Sequence, residues 1–186
     1  MLVFLDFEAS SLGKRSYPIE VAWVFEDGRS STHLIQPAPD WEDWDPAAEA
    51  IHRIPHDLLL REGEPHELVA RAMVDALSNH DLFASAPSWD GKWLSALLRA
   101  AGLPRHSLRL RDSDITCRET AAAVLEGAVP SASLGAIVED LLVTTVASTD
   151  HARTHRALAD ARAEHARWLA VRAAAMALRN ELAARG

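Results

Sequence analysis

Apolar and polar positions follow a sheet-like pattern at the start of the chain and helical spacing further on. Residues 2–8, Leu-Val-Phe-Leu-Asp-Phe-Glu, predict a buried strand that ends in two acids. Residues 18–26 predict a second strand, Asp27-Gly28 a hairpin turn, and residues 31–36 a third strand. Prolines and dense charge make residues 37–46 an acidic loop, with Asp40, Glu42, Asp43 and Asp45 around Trp41 and Trp44. Those tryptophans either stack on bases or pack against the body of the domain. A short helix over residues 47–52 is broken by Ile54-Pro55, and the spacing of Leu68, Ala72, Met73, Ala76 and Leu77 predicts a helix over 65–80. Residues 81–86 read as a fourth strand, 89–101 as a helix closed by Gly102, and 107–110 as a fifth strand. Helices follow over 114–125, 133–142 and, richest in alanine and arginine, 155–184. The expectation is an α/β fold over residues 1–186: one domain, one five-stranded mixed sheet, and helices on both faces.

Composition narrows the class. A chain of 186 residues, 48% apolar, with a mean hydropathy of −0.07, suits one ordinary buried core. No apolar run reaches the length of a membrane span, and Met1 leads straight into the first strand rather than into a cleavable signal. Cys117 is the single cysteine, so no internal disulfide can form, and a cytoplasmic setting is expected. The net charge of −8 is uneven: residues 151–186 carry seven arginines against three acids, +4, which leaves −12 for residues 1–150. Such a balance disfavours long duplexes held by counterion release. A short strand end remains compatible if bound cations offset the repulsion.

Candidate chemistry begins at Asp6 and Glu8. The two-residue period of a strand puts both acids on one face near its C-terminal end. They either bind a cation there or lie exposed where the strand runs into solvent. Asp90 follows a predicted strand at the start of a helix, where it can serve as an ordinary N-cap whatever the function. In His155-Arg-Ala-Leu-Ala-Asp160 the five-residue spacing puts the two side chains about 140° apart on a helix. They meet only if His155 lies in the loop ahead of it. The same spacing recurs at His52 and Asp57, where Pro55 interrupts it.

Together these pieces resemble the DEDDh family of 3′–5′ exonucleases. The first motif matches as Phe4-Leu5-Asp6-Phe7-Glu8-Ala9-Ser10-Ser11-Leu12, and the second as Ser85-Ala86-Pro87-Ser88-Trp89-Asp90. The third matches as His155-Arg156-Ala157-Leu158-Ala159-Asp160, and Ile51-His52-Arg53-Ile54 resembles the family segment that touches the terminal nucleotide. The resemblance spans residues 2–170. It implies a ribonuclease H-like three-layer fold that removes nucleotides from the 3′ ends of single-stranded RNA or DNA. It also implies two magnesium or manganese ions held by Asp6, Glu8, Asp90 and Asp160, with His155 as general base. Ala9, Ser10, Ser11, Leu12, His52 and Trp89 would seat the 3′-terminal nucleotide. Two departures stand out: Ala9 replaces the usual threonine, and Ser85-Ala86 replace the usual His-Asn. Relatives include dimers and monomers, so a homodimer is left open.

Two other readings compete. One is a zinc hydrolase built on His151, His155 and His165, against which Ala152 stands where a metalloprotease needs its glutamate. The other is a catalytically inactive adaptor that keeps the exonuclease fold and recognises a partner.

Overall fold

A computed structural model describes residues 1–148 and 154–185. Its centre is β1 (Leu2–Ala9), paired antiparallel with β2 (Pro18–Phe25), which turns through Gly28 into antiparallel β3 (Ser30–Gln36). Gly28 has φ +87, which only glycine adopts without strain, so the Asp27-Gly28 signal marks a true turn. The chain then forms α1 (Pro46–His52), α2 (His56–Glu62), β4 (Glu64–Pro65) and α3 (His66–Leu77). Next come β5 (Asp81–Ala84), parallel to β1, then α4 (Pro87–Ala100) and β6 (Leu110–Asp112), parallel to β5. It closes with α5 (Ser113–Leu125), α6 (Ser131–Ser148) and α7 (Ala157–Arg185).

The sheet order is β4-β3-β2-β1-β5-β6, six strands rather than the five expected. The extra strand is the two-residue β4, which pairs with Ile35 and Gln36 at the edge. Two residues, one of them proline, carry no period-two pattern, so nothing in the local sequence marks them as a strand. The helix α2 was likewise unforeseen, because Pro55 reads as a breaker. Here it stands just ahead of the helix as its N-cap residue and so starts a new one.

The pleat of β1 divides the core. Val3, Leu5 and Phe7 face α3 and α4, packing with Val69, Met73, Leu94 and Leu97. Phe4 faces the other way, against Phe83, Cys117, Trp168 and Val171 of the α5–α7 side. Full burial of a side chain of this size contributes roughly 1.5–3 kcal/mol. Asp6 and Glu8 continue the row of Phe4, so they lie on the face that α7 covers. The packing of α7 on Phe4 through His165 and Trp168 aims its N-terminal end at the far end of β1. No helix among the described residues is long and apolar enough to cross a membrane.

Candidate active site

A cavity of about 280 Å³ opens at the C-terminal end of β1. Asp6, Glu8, Asp90, His155 and Asp160 all line it, as do Ala9, Ser11, Leu12, His52 and Trp89. Five separate parts of the chain therefore meet there: β1 and the loop after it, α1, α4, the turn before α7, and α7 itself.

Each acid is delivered differently. Asp6 is buried, at 9% exposure, by the strand that carries it. Asp90 is buried too, at 3%, but not as a cap: Ala86 is the N-cap of α4, and Asp90 lies a full turn inside, its N–H donating to Ala86 O at 3.0 Å. Pro87 at the first helical position starts that helix without a side-chain cap. Asp160 lies three residues into α7. Its Oδ2 accepts from His155 N at 3.1 Å, and its Oδ1 accepts from the N–H and the hydroxyl of Thr154, each at 3.0 Å.

His155 does precede the helix. Its φ of 53° is the left-handed region, a conformation costing a non-glycine residue about 1–3 kcal/mol and tolerated where surroundings impose it. That turn brings a nitrogen of His155 and carboxylate oxygens of Glu8 and Asp160 within 4.8 Å of one another. Burial, then the negative charge of Asp160 and Glu20, pushes the Glu8 carboxyl up to about 8. Burial first, and the neighbouring acids after it, penalise the ionised form of this carboxyl. The donor set suits a hard divalent cation.

The raised Glu8 carboxyl has a sign for stability. Below about pH 4.5 it is protonated in folded and unfolded chains alike and has no effect. Between pH 4.5 and about 8 the unfolded chain releases the proton first, so the metal-free fold loses stability as pH rises. Glu8→Gln should therefore raise the melting temperature of the metal-free protein at pH 8 and flatten its pH slope. A thermal melt series from pH 5 to 8 reads both, and an unchanged slope would refute the assignment.

The nucleotide-side residues divide. Ser10 was expected to contact substrate, but it is fully buried, and its Oγ accepts from Tyr17 N at 3.1 Å. Its backbone is used as well, donating to Tyr17 O and accepting from Asp45 N, so Ser10 shapes the loop and does not line the cavity. Ser11 lines the cavity, and its hydroxyl donates to Asp43. Leu12 is 71% exposed at the mouth, with Ile51 and Trp89 also exposed around it. Lys92 fastens this rim. Its ammonium donates to Gly13 O and Ser16 Oγ and lies 5.1 Å from the Trp89 ring centroid.

His52 is buried, at 2% exposure, and its Nδ1 accepts from Ile54 N at 3.1 Å. Burial pushes its imidazole below the usual histidine range, outweighing the nearby Glu49 and Glu20, so it is neutral near pH 7. With Nδ1 accepting, the proton sits on Nε2, which has no partner among the described residues. The acidic loop supports this histidine instead of offering free rings. Trp44 meets His52 edge-on at 6.0 Å and donates to Glu49 at 2.8 Å, while Trp41 stacks on Tyr17 at 5.1 Å.

Of the three histidines of the zinc reading, His151 lies outside the described residues. His165 bonds Glu26 O at 3.1 Å and packs on Phe4 and Trp168, away from the cavity. The composition of the cavity wall therefore favours carboxylates over imidazoles. Sequence reasoning passed over Glu20 and Arg156, which pair at 2.7 Å beside the cavity. An acid in the middle of the apolar run Pro-Ile-Glu-Val-Ala was the available signal.

No protein-family model matches this chain, and no curated protein matches it in sequence. Among solved structures it is similar to the moderately thermophilic exonuclease I of Methylocaldum szegediense, at 22% identity and a TM-score of 0.63, covering 90% of this chain and 40% of that one. A product-bound exonuclease I gives 17% identity and a TM-score of 0.63, with 92% and 43% covered. E. coli exonuclease I in complex with a dA16 oligonucleotide gives 18% and 0.62, with 89% and 39% covered. The chain thus has the ribonuclease H-like fold of exonuclease I and spans about two fifths of the length of these structures.

Proposed function

We propose that residues 1–186 form one exonuclease domain of the DEDDh type, hydrolysing phosphodiester bonds at the 3′ ends of single strands. The observation that carries this is the convergence of Asp6, Glu8, Asp90, Asp160 and His155 on one cavity. The fold shared with exonuclease I, one structure of which holds a dA16 oligonucleotide, supports the same conclusion. With all five side chains gathered, an adaptor role has no observation in its favour.

Asp6, Glu8, Asp90 and Asp160 would hold two divalent cations, magnesium or manganese. When bound, these supply charge stabilisation to the attacking and leaving oxygens of the phosphodiester. His155 holds the position of general base: it is only part-buried, and a ring nitrogen reaches the carboxylate cluster. Asp160 keeps that imidazole in place by binding the backbone on its N-terminal side. At the mouth, Trp89 and Leu12 offer apolar faces to the terminal base. Nε2–H of His52 is a preformed donor for an acceptor on the terminal nucleotide, and Ala9, with no hydroxyl, leaves the sugar one contact fewer.

Matched RNA and DNA oligomers labelled at the 5′ end, with magnesium and then manganese, test the proposal. A ladder that shortens from the 3′ end and vanishes with chelator is expected. Oligomers left whole under both metals would overturn it and return the adaptor role. Trp89→Ala should raise KM by roughly 5- to 150-fold, since one base–aromatic stack contributes about 1–3 kcal/mol. Steady-state kinetics on the same oligomers checks this, and an unmoved KM would remove Trp89 from the substrate path.

A further inference from the structure

Glu20 lies in β2 directly across from Glu8 in the antiparallel register, yet it does not line the cavity. It is 3% exposed, and a carboxylate so buried needs partners. Among the described residues its carboxylate bonds to the two residues after His155. Oε1 accepts from Nη2 of Arg156 at 2.7 Å, and Oε2 accepts from Nε of Arg156 at 3.2 Å and from the backbone N of Ala157 at 2.9 Å. The guanidinium is engaged by two nitrogens, the arrangement that fixes direction as well as distance. Ala157 opens α7, so its N–H is one the helix itself leaves without a partner.

His155 thus sits in a left-handed kink pinned from both sides. Asp160 holds its own N–H and Thr154 ahead of it, and Glu20 holds Arg156 and Ala157 behind it. Without the second anchor, the rigid body of α7 would still present Asp160, but the residue between helix and kink would be free to relax toward ordinary backbone angles. We infer that Glu20 is a positioning residue, which through Arg156 and the first N–H of α7 holds the His155 imidazole at the reaction centre. The inference rests on the exonuclease function proposed above.

The test is a mutant cycle on the full chain, with a 5′-labelled dT oligomer and saturating manganese. Glu20→Gln should lower kcat by about 10²-fold, the loss typical of a catalytic group displaced by about 1 Å. KM should stay within about threefold, because no substrate contact is removed. In a His155→Ala background the same change should cost nothing further, since residues that act as one unit are not additive. Arg156→Met, at a half-exposed side chain, should lower kcat about 10-fold with the melting temperature preserved. It carries the test if Glu20→Gln does not fold.

A Glu20→Gln loss that multiplies undiminished onto His155→Ala would overturn the inference, as would both variants turning over like wild type per folded molecule. In either case the exonuclease proposal stands. A wild-type protein that leaves the oligomer whole removes both.

Discussion

Asp6→Asn is expected to abolish nucleotide release from the 3′ end, by at least about 10³-fold in kcat, or about 4 kcal/mol of transition-state stabilisation. The substitution keeps the shape of a side chain that is 9% exposed on the cavity floor and removes only its charge. The fold should survive, because β1 is held by Val3, Phe4, Leu5 and Phe7 on its two faces. Asparagine also keeps the volume of that buried side chain, so the metal-free melting temperature should hold. Calorimetric titration with manganese should show weakened binding in the same variant. A protein that unfolds yet retains turnover per folded molecule would defeat the cation-site proposal.

His155→Ala is the second large effect. A general base in this position is worth about 10²–10⁴ in kcat, and its loss should leave KM nearly unchanged. Because its ring nitrogen lies within 4.8 Å of the Glu8 and Asp160 oxygens, His155 is also close enough to act as a ligand. The two roles separate by titration. A base lost leaves manganese affinity intact while kcat falls, whereas a ligand lost shifts the metal midpoint and lets kcat recover at high manganese. The proposed function requires the first outcome.

Legibility followed how local each signal was. The acid pair on β1 was readable because the strand period is a property of consecutive residues. Apolar positions 3, 5 and 7 against 4, 6 and 8 already separated the two faces. The last helix was expected from residue 155 and begins at Ala157; helix geometry supplied only the condition that His155 must precede it if the pair is to meet. Ser10 was misplaced because its neighbours line the cavity, while its own orientation is set by Tyr17 and Asp45, bonds made across the loop. The bland reading of Asp90 as a cap was equally natural, since only the position of Pro87 decides where that helix begins.

By itself the sequence determined five of the six strands, the helices other than α2, the two-faced first strand and the residue types of a cation site. These are consequences of periodicity and chemistry within a few residues, which tertiary contacts do not rewrite. Only the tertiary structure decided that β4 closes the sheet edge, that Trp44 supports His52, and that Glu20 grips the turn at His155. Each of these depends on which distant groups come within hydrogen-bonding or packing range. The folded chain fixes that distance, and no local pattern encodes it.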